Sequence, residues 1–317
     1  MIKTGIYGHP DFEADILEKI MDVPELSVVG MYSPNKTDSK DIEDKYKLKT
    51  YEEAGSLIDQ VDAVIALNPL SGLDKVEQLV RNAKHVFFEP SSEYCNRDVT
   101  KLSDIVDEAN VKVQAGFHHR FNNTFLSARP FIVNPKFIQS NNFRKFAVDS
   151  VAISVLMDML ISDIDIVLGV IKSNLKAVHA NATSINLEGP DIINVRLEFM
   201  NGSVAQLTAG RIATTNSHEL SFYCNNDYTS IDLIRNKAWQ VKKRNQESDI
   251  KLFQENIGDL IVDTIPVKPN NHYYDEFLSF ARSIVYDKSP EVDLETVLKT
   301  YSVAAQIKDK IKLSVGM

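Results

Sequence analysis

The stretch IKTGIYGHPDFEA, residues 2–14, decides the fold. An apolar run from Ile2 to Tyr7 meets Gly8 and then helix-compatible residues, the strand–glycine–helix order in which nucleotide-binding proteins place a phosphate-binding turn. The glycines stop at Gly8, and Pro10, Asp11 and Glu13 follow where small neutral residues are needed. Pro10 suits a first helical turn, and both carboxylates complement the positive end of a helix dipole. The same carboxylates oppose a phosphate: at about 5 Å and an effective dielectric near 20, one such pair costs ~3 kcal/mol, about a hundredfold in affinity. The turn reads as a helix cap standing where a phosphate site is expected.

Working outward, short apolar runs recur at Ile2 to Tyr7, Leu26 to Tyr32, Val61 to Leu67, His85 to Phe88 and Val111 to Phe117. Polar, helix-like segments lie between them at Pro10 to Met21, Leu73 to Asn82 and Arg97 to Asn110. This alternation predicts an α/β domain, a Rossmann-type doubly wound parallel sheet with ligands at the carboxyl ends of its strands. After about residue 150 the pattern changes. SVLMDMLISDIDIVLGVI, from Ser154, carries Leu156, Leu160, Ile164, Val167, Leu168 and Ile171 at helical spacing and predicts one long buried helix. DIINVRLEF then puts Ile193, Val195, Leu197 and Phe199 on one strand face, and Asn201-Gly202 signals a hairpin into SVAQLTAGRIA. HELSFYC, TSIDLIR and KAWQVKK continue a large, open-faced, mainly antiparallel sheet of α+β type, and two amphipathic helices close the chain. The division expected is residues 1–118 and 119–317.

At 317 residues with 44% hydrophobic side chains the chain can bury two cores, and its formal net charge of -9 argues against a nucleic-acid partner. The basic stretch Arg235, Lys237, Lys242, Lys243 and Arg244 reads as a solvated hairpin face. Cys95 and Cys224 are far apart and form no CxxC, which implies neither disulfides nor a metal site and fits a reducing cytoplasm. No apolar run reaches eighteen residues, and the first residues enter a strand directly, so a cytoplasmic protein with no membrane partner is expected.

Five segments in order (TGIYG, HVFFEP, AGFHHRFNNTF, LMDMLISDIDIVL and VRLEFMNGSVAQLTAGRIA) resemble the Gfo/Idh/MocA oxidoreductases, the last two a short subgroup of sugar or sugar-nucleotide dehydrogenases. The resemblance implies a dinucleotide-binding domain, an open-faced sheet domain and hydride transfer between NAD(P) and a sugar carbon. Its cofactor-binding positions fall on Gly8, His9, Pro10, Ser33, Asn68, Pro69 and Glu89, and its catalytic positions on Pro90, Asp158 and Ser162.

Each position departs from the family in a chemically definable way. Of three loop glycines only Gly8 survives, with Pro10 and Glu13 at the others. Ser33 replaces the acid that takes the ribose hydroxyls; Lys36 nearby is compatible with NADP, and the loss is equally compatible with no dinucleotide. Asn68 and Pro69 keep a turn whose histidine position holds Leu73. Pro90 stands where the family lysine lies and has no ammonium; Ser162 stands where the family histidine lies and cannot titrate near neutrality. Residues four apart share a helical face, so Asp158, Ser162 and Asp165 are expected on one stripe facing the site. Substitute bases are His118 or His119, while Tyr94 has no lysine at the spacing tyrosine-based reductases use, and Lys84 is an amine near the fourth strand. Arg120, Asp165 and Arg211 are candidate substrate residues, each arginine serving either an anionic sugar ligand or a salt bridge.

Together these losses predict a family member that holds no dinucleotide tightly and is inactive or impaired, acting as a binding or assembly protein. The alternative is an active oxidoreductase of a sugar or sugar nucleotide, with NAD or NADP and a rearranged site. A sugar or sugar-nucleotide ligand and a homodimer or higher oligomer, or pairing with an active paralogue through the open sheet face, complete the expectation.

Overall fold

A computed structural model describes residues 1–8, 15–34, 39–67, 73–89, 100–147, 154–185, 189–225, 227–243, 254–257 and 260–315. The chain divides into two compact units, residues Met1–His118 with Asn271–Lys299, and His119–Asn270 with Thr300–Met317.

In the first unit, strands β1 (Ile2–Tyr7), β2 (Leu26–Tyr32), β3 (Ala63–Ala66), β4 (His85–Phe88) and β5 (Val113–Ala115) form a parallel sheet in the order β2-β1-β3-β4-β5. Between them lie α1 (Asp15–Met21), α2 (Ser39–Tyr46), α3 (Ala54–Ile58), α4 (Leu73–Arg81) and α5 (Thr100–Ala109). β3 and β4 are apolar almost throughout, as strands covered on both faces must be. Ile2 and Ile6 join Ile16, Leu17 and Ile20 of α1 in one core, while a Cβ at Gly5, on the opposite face, would meet Leu57 of α3 at 3.0 Å. The strand order reverses at β1, which puts the crevice beyond the carboxyl ends of β1 and β3.

A 3-10 turn at His118–Phe121 leads from the first unit into the second, where α6 (Asn123–Ala128) is capped by Asn122, whose side chain accepts from the Thr124 N–H at 2.8 Å. β6 (Phe137–Lys145) enters a nine-stranded sheet. A π-helical turn at Val155–Leu160 runs into α7 (Ile161–Val170), so the single long helix expected from the apolar spacing is two helical geometries joined end to end. β7 (Leu175–Thr183), β8 (Ile192–Phe199), β9 (Val204–Ala213), β10 (Ser217–Tyr223), β11 (Asp227–Asp232), β12 (Lys237–Lys243), β13 (Gln254–Ile257) and β14 (Leu260–Ile265) complete the sheet in the order β13-β14-β12-β11-β10-β6-β9-β8-β7. Every pairing is antiparallel except β6 with β9. Ile193, Val195, Leu197 and Phe199 are all buried, as their alternation predicts. The opposite face carries Phe137, Tyr223 and Tyr228 on three adjacent strands, with ring centroids 5.7 and 5.2 Å apart.

Two helices end the chain, α8 (His272–Val285) and α9 (Leu294–Val315). The sequence division assigned both to the second domain, and the structure differs there: Asn271–Lys299 belong to the first unit. The cause is the apolar face of α8. Phe277 and Phe280 lie with ring centroids 5.0 and 5.8 Å from Phe87 of β4. Each buried aromatic ring contributes ~2–3 kcal/mol.

Candidate functional site

In the first unit the candidate positions gather at the carboxyl ends of β1 to β4. Gly8 has φ +124°, its N–H donates to Tyr32 O at 2.9 Å, and a Cβ there would lie 1.7 Å from Leu67 O. The turn requires glycine for the protein's own close approach, whether or not a phosphate binds. Tyr7 and Tyr32, register partners at the strand ends, pack at 5.2 Å, with Lys75 Nζ 5.5 Å from the Tyr7 ring. Burial, and secondarily Tyr32, pushes the Tyr7 phenol above its ordinary pKa. The sequence reading missed this pair, although its signal was plain: both strands end in tyrosine.

Ser33 follows β2, half-buried, and offers a hydroxyl where a ribose-binding carboxylate is required. Leu73, in the turn-histidine position, is a buried core residue at the start of α4. Glu89 is half-buried just after β4. Lys84 brings no amine to this end, because its Nζ donates to Val61 O at 2.7 Å, at the amino-terminal edge of β3 and β4. His118 stacks on His272 at 5.2 Å and on Tyr273 at 4.7 Å, inside the first unit. His9, Pro10, Asp11, Glu13, Lys36, Asn68, Pro69, Pro90, Tyr94 and Cys95 lie outside the described residues.

Of the described positions Gly8 keeps a dinucleotide's tight turn, and the failures are Ser33, which brings no carboxylate to the ribose of NAD although NADP needs none, and Leu73, which brings no polar group. The identities of Pro10 and Pro90 add a missing N–H donor and a missing amine to those failures.

The second unit holds Asp158 and Ser162, two of the positions that the resemblance marks as catalytic. Ser154 caps the π-helical turn by accepting from the Met157 N–H at 3.3 Å, and Asp158 reaches back so that its Oδ2 accepts the Ser154 N–H at 2.6 Å. Arg144 Nη2 donates to Asp158 O at 3.1 Å. The Asp158 carboxylate therefore serves as one half of a reciprocal cap. Ser162, next in line, is half-buried.

The expected single stripe is not found. Asp158 is exposed, Ser162 half-buried and Asp165 fully buried, because the wider π-turn separates Asp158 in phase from α7. Asp163 and Asp165, two apart on α7, point to different sides. Asp165 takes both Nε and Nη2 of Arg120, the latter at 2.8 Å. Asp163 accepts from Ser140 Oγ at 2.6 Å and from His218 Nε2 at 2.7 Å. A carboxylate only accepts, so Nε2 carries the hydrogen. The His119 ring stands edge-on to His218 at 4.9 Å. This His119–His218–Asp163–Ser140 cluster was also missed in the sequence; its signal is His218 at an inward position of HELSF, alternating with Leu220 and Phe222.

Arg211 Nε donates to Asp191 Oδ1 at 3.0 Å, and Asp191 Oδ2 accepts the Ile185 N–H at 2.6 Å. Arg211 and Asp191 are both buried. Of the three candidate substrate residues, Asp165 and Arg211 are enclosed and Arg120 keeps 18% of its side chain exposed. Among the described residues no group of three or more His, Cys, Asp or Glu side chains is placed to hold a metal ion. No described helix is long and apolar enough to cross a membrane.

Comparison with known proteins bears on this arrangement. Residues 2–117 match the family described as "Oxidoreductase family, NAD-binding Rossmann fold". That match covers the parallel sheet of the first unit, β1 to β5. It is 20% identical over 237 residues to a UDP-N-acetylglucosamine 3-dehydrogenase of Acidithiobacillus ferrooxidans, covering 74% of this chain and 75% of the relative. A solved structure of that dehydrogenase superposes with a TM-score of 0.89 at 17% identity, covering 100% of this chain and 99% of the other. Scyllo-inositol dehydrogenase from Lactobacillus casei, solved with bound NAD(H) and scyllo-inositol, gives 0.78 at 18% identity over 99% and 97% of the two chains. At these identities the superpositions establish the fold.

Proposed function

We propose that this chain is a Gfo/Idh/MocA protein that does not carry out the family's hydride transfer and acts as a binding or assembly protein, with a sugar or sugar nucleotide as its small-molecule ligand. One observation carries the reading: the Asp158 carboxylate is held by the Ser154 N–H as a helix cap, and four residues on stands Ser162 where the resemblance places an imidazole. A hydroxyl proton leaving as hydride departs needs an acceptor that titrates near neutrality, and serine is not one. Pro90 removes the amine, and Ser33 the ribose carboxylate, in the same direction. The aromatic row of Phe137, Tyr223 and Tyr228 supports self-association through the outer sheet face. Light scattering that finds only monomer at high concentration contradicts that part.

The direct test is a turnover assay with NAD and NADP against a panel of sugar nucleotides that includes UDP-N-acetylglucosamine. The expected result is no reduced cofactor above the buffer rate.

A second reading, an active sugar-nucleotide oxidoreductase with a rearranged site, draws on one specific feature. His119 stands beside His218, which is itself held by buried Asp163. On that reading His119→Phe abolishes a turnover that the wild type displays, and His118→Phe leaves it intact.

A further inference from the structure

We propose that β7 is the pairing edge of a homodimer, in which it joins the β7 of a second copy, antiparallel about a twofold axis at Ala180, and the two nine-stranded sheets become one. β7 ends the strand order, and among the described residues no strand pairs with its other side. An edge strand leaves alternate backbone N–H and C=O groups without a ladder partner, a template for a further strand.

The other sheet edges are short or covered. β13 has four residues and carries Glu255, and β5 has three. Beside β2, the Met31 N–H donates to Lys49 O at 2.9 Å and Met31 O accepts the Tyr51 N–H at 2.8 Å. β7 has nine residues, LKAVHANAT, and its one register shift against β8 lies between Leu175 and Ala177. Lys176 sits within that shift, so the two devices that blunt an edge, a bulge and a lysine, are both at one end. Residues 177–183 then run in unbroken register with residues 192–198 and contain no Asp, Glu, Lys, Arg, Pro or Gly.

Self-complementarity selects a second copy as the occupant. A twofold at Ala180 lays residues 177–183 on their own counterparts and leaves the register shift outside the paired stretch. Alternation puts Val178, Ala180 and Ala182 on the inner face of the sheet, where Val178 is 6% and Ala180 8% exposed, and exposes His179 and Asn181 on the outer face. Val178 then meets the partner's Ala182, so the apolar face that β8 forms with Ile193, Val195 and Leu197 continues across the axis. His179 meets the partner's Asn181, a donor–acceptor pair, and no charge opposes a like charge. Such a contact is isologous and closes at two copies. Seven residues make an edge ~24 Å long and ~10 Å thick, ~500 Å² over both copies, so the contact belongs to the weak, concentration-dependent class.

Sedimentation velocity of the full chain from ~10 µM to ~1 mM tests the proposal. Two double variants share His179→Glu, which faces Arg196 on β8. With Asn181→Glu it sets acid against acid across the axis and should weaken the dimer. With Asn181→Lys it sets two opposite-charge pairs and should tighten the dimer roughly two- to thirtyfold, a gain that a loss of folding does not produce. Under mild oxidation, His179→Cys protein mixed with Asn181→Cys protein should form a disulfide between positions 179 and 181 faster than either variant alone, with peptide mapping to exclude Cys95 and Cys224. A monomer at every concentration, equal association of the two double variants, or no such disulfide overturns the proposal. Association that is abolished by Tyr223→Ser with Tyr228→Ser belongs to the aromatic row of the outer face and also overturns it. None of these results depends on dinucleotide binding or turnover, so the edge contact stands or falls separately from the proposed lack of hydride transfer.

Discussion

Replacing Arg120 with methionine separates a structural arginine from a ligand-binding one. The substitution keeps an unbranched apolar stem and removes the guanidinium that contacts both carboxylate oxygens of Asp165. The Asp165 side chain is 0% exposed, so no water replaces the lost donors. A buried carboxylate stripped of its partner costs ~3–5 kcal/mol. The sole tryptophan, Trp239, lies on β12 of the same unit, and its fluorescence reports the unfolding of that unit directly. With a urea dependence of about 3 kcal/mol per molar, the midpoint should fall by ~1–1.7 M. Arg120→Met combined with Asp165→Leu should recover most of the loss, because a packed apolar pair is about as stable as a buried ion pair. A midpoint shift below about 0.3 M for the single variant would refute the structural assignment and return Arg120 to ligand binding.

Gly8→Ala should destabilise the first unit by about 4 kcal/mol or more, since the new Cβ meets Leu67 O at 1.7 Å in a backbone region that side chains avoid; a melting temperature equal to the wild type contradicts this. Ser162→His should not create turnover, because the Asp158 carboxylate still caps Ser154 and Pro90 still supplies no amine; measurable cofactor reduction by that variant argues the opposite. Burial holds His272 below the ordinary histidine pKa, and burial followed by Lys112 does the same to His85, whose Nδ1 accepts the Lys112 N–H. The unfolded chain then binds more protons below about pH 6.5, so this contribution is complete above that value and is lost as pH falls toward the folded pKa values. Thermal melts at pH 7.5 and 5.5 should show the drop, and His85→Gln with His272→Asn should reduce it; an unchanged drop in the double variant removes these two groups as the cause.

Much of the fold was legible in the sequence because burial imposes a period. The run Ile193, Val195, Leu197 and Phe199 specified a strand and the face it buries, and Asn201-Gly202 specified the hairpin after it. The placement of α8 was not legible, because its phenylalanines state that it packs without naming Phe87 as the partner. In the site, side-chain identity was enough to show what Ser162 and Ser33 cannot do. What Asp158 and the arginines do instead depends on contacts between residues far apart in sequence. Arg120 with Asp165 and Arg211 with Asp191 each fit either a ligand or an internal pair until the chain brings them together. The π-turn was hidden for a related reason: an apolar spacing read over a whole helix averages out one extra residue within a turn.

The central claim is that a Rossmann-type scaffold persists here without cofactor recognition, and equilibrium titration with NADH and NADPH tests it most directly. Calorimetry with each dinucleotide, alone and with saturating UDP-N-acetylglucosamine, is predicted to show no binding tighter than about millimolar. Micromolar binding of either dinucleotide, and especially binding strengthened by the sugar nucleotide, would contradict the account.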